Sequence, residues 1–185
     1  NELEQLVTFN CDKKKDELVK DLFIFSCFTG LSYSDMKGLK NSNLQDFFDG
    51  KRWIIVRRKK TATSSNVMLL DIPKMIIEKY AGLSKDGKVF PVPSNTICND
   101  SLKRISQLID CLVEKKVTFH LARHTFATLF LSEGVPLESL SKMLGHKNIA
   151  TTQIYAKILN EKVGKDMQKV SHKFKGMEQS FISQL

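Results

Sequence analysis

The sequence predicts a mainly α-helical α+β fold with one small three-stranded antiparallel sheet. Most of the chain carries apolar residues at helical spacing, which is typical of amphipathic helices. Residues 44–72 instead form short runs rich in β-branched and aromatic residues, divided by Asp49-Gly50. At 185 residues the chain has the length of one domain with a substantial core. We therefore expect a single domain over 1–185.

The helix boundaries are predicted from turn-forming and capping residues. Thr29-Gly30 should end the first long helix, and Pro73 suits the first turn of a later one. Asn99 or Asp100 is a suitable N-cap for the helix that follows. The predicted helices span 13–28, 34–39, 73–80, 99–113, 119–133, 136–144 and 148–158, and a basic helix begins near 160.

The strands are predicted at Leu44–Phe48, Arg52–Arg58 and Val67–Ile72. Asp-Gly is a dipeptide that two-residue hairpin turns favour, so the first two strands should form a hairpin. The polar stretch 59–66 would connect the second strand to the third.

The bulk composition narrows the class of partner. The formal charge of +9 favours a polyanion such as nucleic acid. The longest apolar run, around 22–28, is far shorter than the roughly 20 residues that span a bilayer. No secretory signal opens the sequence, and the four cysteines lack the spacing of a zinc site. These features favour a cytoplasmic protein with reduced thiols, no membrane partner, and no metal or other cofactor.

The residues with the clearest chemistry lie in the C-terminal half. His120 and Arg123 are three apart and share one face of a helix. Arginine offers a fork of donors that matches phosphate oxygens, and a tyrosine such as Tyr155 can attack phosphorus. His146 follows a glycine where a helix should end. Each residue alone can be structural, and His124 is interpreted as a structural hydrogen-bonding histidine. Together the other four residues indicate phosphodiester chemistry.

The stretch from Thr118 to Ile158 closely resembles the tyrosine recombinases, the family of phage and transposon integrases. The resemblance rests on His-Leu-Ala-Arg-His-Thr-Phe-Ala-Thr, Leu-Gly-His-Lys-Asn-Ile-Ala-Thr-Thr and the terminal Tyr155. It extends upstream through the Thr-Gly-Leu turn at 29–31 and the predicted hairpin, so it covers nearly the whole chain. It implies the fold of that family's catalytic domain. It also implies site-specific DNA recombination, the integration or excision of a mobile element, without metal or ATP.

The resemblance also implies residue roles. Tyr155 would attack a scissile DNA phosphate and leave a 3′-phosphotyrosyl bond and a free 5′-hydroxyl. Arg123 would hold the non-bridging oxygens, and His146 would hydrogen-bond the phosphate. His120 would assist proton transfer to and from the tyrosine.

Two further positions of the family pattern lie in the first third of the chain. The family's lysine between the second and third strands, proposed to protonate the leaving 5′-oxygen, corresponds best to Lys60, with Lys59 as the alternative. Ser32 occupies the place of the family's first arginine, the second clamp on the phosphate. A serine hydroxyl donates one hydrogen bond and carries no charge. Another cation substitutes, the chain belongs to a divergent subgroup, or the site is impaired. The sequence leaves four candidate cations unranked: Lys37, Arg52, Arg57 and Arg58.

The resemblance implies partners as well. The substrate would be double-stranded DNA at specific recombination sites, bound by a homo-tetramer at the bacterial nucleoid, with accessory DNA-bending proteins. We expect the chain to be a fragment that lacks the family's N-terminal DNA-binding domains. The segment 160–185, basic and then apolar, would either dock on a neighbouring subunit or pack on its own domain.

Two other functions fit part of the sequence. Residues 137–155 have the pattern of a helix-turn-helix, which is typical of a non-catalytic DNA-binding module. A type IB topoisomerase uses similar chemistry to relax supercoils as a monomer. The binding module does not explain His120 and Arg123. The Leu-Gly-His segment and the chain length favour an integrase over a topoisomerase.

Overall fold

The computed structural model describes residues 2–58 and 62–155, and beyond them 163, 164, 166–168, 170, 171, 174, 177 and 182. Within these residues the predicted fold class is confirmed, because helices dominate and one antiparallel sheet has the order β1-β2-β3. The α-helices are α1 (Glu2–Thr8), α2 (Lys14–Thr29), α3 (Tyr33–Lys37), α4 (Asp71–Lys79), α5 (Asn95–Gln107), α6 (Phe119–Ser132) and α7 (Leu137–Leu144). The strands are β1 (Leu44–Asp46), β2 (Arg52–Arg57) and β3 (Ser64–Met68).

Helix α5 begins earlier than predicted. Its N-cap is Ser94, whose Oγ accepts the backbone N–H of Ile97 at 3.4 Å. The predicted start at Asn99 or Asp100 is therefore wrong, since the serine already satisfies a free N–H of the first turn. The predicted end at 113 is also wrong, because α5 ends at Gln107. In contrast, α2, α6 and α7 lie within one or two residues of their predicted bounds.

The sheet differs from the prediction in its first and third strands. Strand β1 ends at Asp46, and residues 47–51 rather than a two-residue turn connect it to β2. The third strand predicted at Val67–Ile72 is displaced, because pairing with β2 already begins at Ser64, opposite Arg57. Helix α4 then begins at Asp71 and takes up the end of the predicted strand.

The helix predicted over 148–158 is wrong for residues 148–155. Two short 3-10 turns, Ile149–Thr151 and Gln153–Tyr155, replace it. Asn148 starts the first turn, since its Oδ1 accepts the N–H of Ala150 at 2.9 Å. The helix-turn-helix interpretation needs a second regular helix directly after α7, and as far as Tyr155 the chain does not form one.

The buried apolar residues fall into two clusters that meet along α6. The large cluster joins α1, α2, the sheet, α4 and α5 to the N-terminal part of α6, which contributes Phe119 and Ala122. The small cluster lies beyond them and consists of Phe126, Ala127, Leu131, Leu140, Leu144 and Tyr155. Because His120 and Arg123 lie on α6 at this junction, the predicted site sits between the two clusters.

Gly30 lets the end of α2 approach the small cluster. It ends α2 with φ +67°, a backbone conformation that favours glycine. A Cβ at this position would lie 2.6 Å from Cδ1 of Phe126. The Thr-Gly stop predicted from the sequence is thus also a packing requirement between α2 and α6.

The cysteines serve packing. All four are free thiols, and Cys27 and Cys98 are buried. Burial raises the pKa of the Cys98 thiol to about 11, so it stays protonated and unreactive at neutral pH. In the described part of the chain, no helix has the length and apolar character needed to cross a membrane. The same residues contain no group of three His, Cys, Asp or Glu placed to hold a metal ion.

The predicted C-terminal tail lies mostly outside the described residues. Those that are described between 163 and 182 are helical and exposed. They include the apolar side chains Val163, Met167, Val170, Phe174, Met177 and Ile182.

Candidate active site

Helix α6 carries the predicted residues His120 and Arg123. Thr118 is its N-cap, and Oγ1 of Thr118 accepts a backbone N–H of the first turn at 3.3 Å. His120 lies in this first turn and is exposed. The half-buried Arg123 guanidinium donates to the carbonyl of Gly30, and its Nη2 donates to the carbonyl of Leu144 at 2.5 Å. Arg123 therefore ties the end of α2 to the end of α7.

The side chains of the site converge on the last backbone carbonyls of α7. Three side chains from the β2–β3 connection and from β3 donate to them: Thr63 to Gly145 (2.5 Å), Ser65 to Met143, and Arg58 to Leu144 (2.7 Å). Carbonyls at a helix C-terminus lack intrahelical partners and carry the negative end of the helix dipole. They therefore stabilise the two arginines that gather here.

Arg58 lies close to the place of the missing arginine. The residue is 8% exposed, and its Nε lies 2.7 Å from Oδ2 of Asp35. The same carboxylate oxygen accepts a hydrogen bond from Oγ of Ser32 at 2.6 Å. Asp35 thus joins Ser32 and Arg58 through one buried carboxylate. The sequence pattern marks Asp35 only as the start of a helix, so its role in the site is not predicted.

The other three candidate cations face elsewhere: Lys37 lies over the ring of Tyr33, Arg52 pairs with exposed Asp46, and Arg57 donates to the carbonyl of Ala62. The structure therefore ranks Arg58 first. Ile54, Val56 and Arg58 have the same parity and all three are buried, so strand alternation identifies Arg58 once the buried face of β2 is known.

Ser32 is the N-cap of α3. Its Oγ accepts the backbone N–H of Asp35 at 3.3 Å and donates to the Asp35 carboxylate. The helix predicted from Ser34 to Leu39 consequently begins at Tyr33 and ends at Lys37. Ser32 is thus a neutral residue that orients the partner of Arg58.

The site carries more positive than negative charge. Burial and the neighbouring Arg58 lower the pKa of Arg123 to about 10, although Asp35 opposes the shift. Burial also lowers the pKa of Arg58, again against Asp35. Two partly desolvated guanidiniums with one neighbouring carboxylate, which pairs with Arg58, would be stabilised by a bound anion.

Gly145 lets Arg58 reach the helix end. It ends α7 with φ +60°, and a Cβ there would lie 2.7 Å from Cγ of Arg58. His146 follows directly and is half-buried. Burial, with the charges of Arg123 and Arg58, lowers the pKa of His146 to about 4, so its imidazole is neutral at pH 7.

Tyr155 is buried in the small cluster at 6% exposure. Its ring centroid lies 5.0 Å from that of exposed His124, with the two planes inclined at 49°. Burial raises the pKa of the tyrosine, and Arg123 opposes this shift. The hydroxyl is therefore protonated at neutral pH, and attack by this oxygen requires a base.

Lys59 and Lys60 lie outside the described residues, so their role stays a prediction. The described ends of their loop are close together. The N–H of Arg58 donates to the carbonyl of Thr63, and the N–H of Ala62 donates to the carbonyl of Arg58, both at 2.9 Å. The loop that carries the two lysines therefore starts at a residue of the site.

The structure brings together Arg58, Arg123 and His146 around the end of α7, with Tyr155 in the adjoining cluster. A helical domain with a small antiparallel sheet and a site of this kind is typical of integrase catalytic domains. The chain belongs to the phage integrase family, whose profile matches residues 1–162.

Individual relatives agree with this assignment. The chain is 32% identical over 158 residues to tyrosine recombinase XerA of Saccharolobus solfataricus, covering 84% of this chain and 50% of that protein. It is 31% identical over 166 residues to XerA of Thermococcus onnurineus, covering 85% and 56%. The chain thus spans about half the length of these curated relatives.

Solved structures share the fold. The XerH site-specific recombinase in a post-cleavage complex with difH substrate superimposes with a TM-score of 0.69 at 20% identity, covering 89% of this chain and 49% of that one. The catalytic domain of bacteriophage HP1 integrase gives a TM-score of 0.62 at 21% identity, covering 85% and 84%.

Proposed function

We propose that this domain catalyses site-specific DNA recombination by cleaving and rejoining strands through a 3′-phosphotyrosyl intermediate. The observation that carries the proposal is the pair of guanidiniums at the end of α7, Arg58 buried and Arg123 half-buried, in the part of the site that adjoins the buried Tyr155. A DNA phosphate would satisfy this charge and place phosphorus next to a nucleophile. The relatives described as tyrosine recombinases support the same reaction.

Each step of the proposed reaction uses a residue of this chain. The oxygen of Tyr155 attacks phosphorus, and the bond from phosphorus to the 5′-oxygen breaks. The tyrosine proton passes to His120, and Lys60, or Lys59 in its place, protonates the leaving 5′-oxygen. Because one phosphodiester replaces another, attack by a 5′-hydroxyl can reverse the step and rejoin strands without ATP.

Arg123 and His146 would hold the non-bridging oxygens as charge develops on them. Arg123 has five N–H donors, of which two are used by the carbonyls of Gly30 and Leu144. Backbone carbonyls hold the guanidinium in place before DNA arrives, so little reorganisation is needed in the transition state.

Arg58 would act as the second cation of the site in place of an arginine at position 32. Its neighbours support this: Asp35 fixes Nε, and the carbonyl of Leu144 binds both Arg58 and Arg123. The two guanidiniums thus share one acceptor, so both can approach the same phosphate. Ser32 would act through Asp35 rather than on the phosphate.

A set of substitutions tests the role of Arg58. Arg58→Met should lower the rate of strand cleavage by roughly 10²–10³, as the loss of one transition-state donor does. Arg57→Met changes the exposed neighbouring arginine at the end of β2; it is the matched control and should cleave normally. Adding Ser32→Arg to Arg58→Met should restore part of the rate, because a guanidinium at 32 can also pair with Asp35.

Thermal unfolding would separate loss of chemistry from loss of fold in these variants. Cleavage by folded Arg58→Met at the wild-type rate would exclude Arg58 from the site. Ser32→Arg alone should change the cleavage rate with little change in fold. Unchanged kinetics in that variant would show that position 32 has no influence on the phosphate.

Larger assemblies are part of the proposal. The substrate would be double-stranded DNA at specific sites, brought together by a homo-tetramer at the nucleoid, with accessory DNA-bending proteins. Residues 1–185 would form the catalytic domain of a longer protein. The exposed apolar side chains between 163 and 182 support docking of the tail on a neighbouring subunit.

Covalent capture from a randomised DNA pool tests the reaction and finds the target sequence at the same time. The full chain is incubated with nicked duplexes whose arms are randomised, and DNA that stays attached under denaturing conditions is sequenced. We expect wild type to yield an adduct at one sequence family and Tyr155→Phe to yield none. Tyr80→Phe, which removes a hydroxyl bonded to Asp21 in the large cluster, is the control and should keep the adduct.

Other outcomes distinguish the alternative functions. Sequence-specific binding without any adduct would indicate a DNA-binding module and contradict the proposal. Adducts on every sequence, with relaxation of supercoiled plasmids, would indicate a topoisomerase.

A further inference from the structure

Thr152 is a buried polar residue that the proposed reaction does not use. It lies between the two 3-10 turns that lead to Tyr155 and is 0% exposed. Its Oγ1 lies 2.8 Å from Nδ1 of His146. Its carbonyl accepts the backbone N–H of Tyr155 at 3.1 Å. One residue therefore contacts both the histidine of the site and the backbone of the tyrosine.

The proton on the neutral imidazole decides what His146 can do. In a neutral histidine one ring nitrogen donates and the other accepts. Phosphate oxygens accept only, so His146 can donate to phosphate through Nε2 only when Nε2 carries the proton. Nδ1 must then be the acceptor, and the atom beside it must be a donor.

The Thr152 hydroxyl can be that donor. Among the described residues, His146 Nδ1 is the only hydrogen-bond partner found for Thr152 Oγ1. If Nδ1 carried the proton, the hydroxyl would accept it, and the buried hydroxyl proton would lack a partner in this part of the chain. An unsatisfied buried donor is costly, whereas a hydroxyl oxygen that only donates leaves acceptor capacity unused at a smaller cost.

We infer that Thr152 is a positioning residue that donates to Nδ1 of His146 and fixes its imidazole as the Nε2–H tautomer, ready to donate to the scissile phosphate. This inference rests on the proposed phosphate-binding role of His146. The carbonyl of Thr152 also anchors the turn that carries Tyr155, so the two groups are held relative to each other by one residue.

The tautomer can be measured on the full chain without DNA. The protein has four histidines, so long-range proton–nitrogen correlation spectra of its imidazoles are simple, and His146→Gln identifies the signal. In wild type we expect an unprotonated Nδ1 and a protonated Nε2 at neutral pH. Thr152→Ser should keep this pattern, and Thr152→Val, which has the same shape without the hydroxyl, should move the Nδ1 resonance toward that of a ring nitrogen that accepts no hydrogen bond.

A protonated Nδ1 in wild type would overturn the inference, and so would an unchanged Nδ1 resonance in folded Thr152→Val. Thr151→Val is the matched control, because Thr151 is the exposed neighbour and should leave the spectrum unchanged.

The cleavage rate gives a second measurement. With the captured DNA as substrate, Thr152→Val should cleave about tenfold more slowly, the size expected for one lost hydrogen bond, and Thr152→Ser should recover most of the rate. If His146→Gln cleaves like wild type while the Nδ1 resonance responds to Thr152→Val, the phosphate role of His146 fails and the hydrogen bond stands. Normal cleavage by Thr152→Val beside a slow His146→Gln would overturn the positioning role.

Discussion

The large and the small cluster both pack on α6, but they hold it by different means. The large cluster packs the N-terminal part of α6 together with side chains from α1, α2, α3, β2, α4 and α5. Among the described residues, the buried members of the small cluster come from α6, α7 and the turn that bears Tyr155. Much of its connection to the rest of the molecule is polar, through the hydrogen bonds that the end of α7 accepts from Arg58, Thr63, Ser65 and Arg123.

This difference separates stability from function. Apolar packing is non-directional and tolerates small shifts, whereas hydrogen bonds to carbonyls fix groups in direction and distance. Because the large cluster contains most of the buried apolar residues, we expect it to contribute most of the apolar folding free energy. The hydrogen bonds at the end of α7 determine where the two guanidiniums point. Substitutions should reveal the division.

The largest effect is expected from Asp35→Ala. This change leaves Arg58 buried without its carboxylate, and breaking a buried ion pair from one side costs about 3–5 kcal/mol of unfolding free energy. Asp46→Ala breaks an exposed pair with Arg52 on the far strand of the same sheet and should change stability little. Denaturant unfolding measures both variants. Equal losses of unfolding free energy in Asp35→Ala and Asp46→Ala would show that the buried ion pair contributes no more to stability than the exposed one.

Leu140→Ala and Leu102→Ala compare the clusters directly. Both leucines are fully buried, one in the small cluster and one in the large, and each truncation should cost about 2–5 kcal/mol. Compared at temperatures where both variants are folded, Leu140→Ala should lower the cleavage rate and Leu102→Ala should not. Equal cleavage rates in the two folded variants would remove the distinction between the clusters.

Gly145→Ala tests the close approach of Arg58. The positive φ alone should cost about 1–2 kcal/mol, and the new Cβ must displace Arg58. Cleavage should therefore fall further than in Gly82→Ala, where φ is also positive but no atom lies within 4 Å of the new Cβ. If Gly145→Ala and Gly82→Ala cleave at the same rate, Gly145 is needed only for the backbone conformation at the end of α7.

The smallest effect is a pH dependence from His146. Its pKa in the folded protein is about 4, below the ordinary 6.5, so the unfolded state takes up the proton first as the pH falls. The free energy of unfolding should therefore decrease between about pH 6.5 and 4. Because the ring is only half-buried, we expect a loss of about 1 kcal/mol. Denaturation of wild type and His146→Gln at pH 7 and pH 5 measures it, and an identical pH dependence in both would contradict the shift.

The fold class and much of the site follow from the sequence alone. Helical spacing and the glycines after α2 and α7 are encoded within a few residues, so α2, α6 and α7 were predictable. His120 and Arg123 were found for the same reason, since their shared helix face follows from a spacing of three. Local signals gave the wrong bounds for α5 and β3. Several neighbouring residues are equally suitable as the N-cap of α5, and the start of β3 is set by its pairing with β2.

The arrangement of charge in the site depends instead on tertiary packing. Arg58 donates to a carbonyl 86 residues away, and Arg123 to one 93 residues away. Such pairings depend on how helices and sheet pack, and no local pattern ranks Arg58 above Arg57 without knowing which strand face is buried. The lowered pKa values of Arg123 and His146 arise from the same packing, because burial and neighbouring charges exist only in the folded chain.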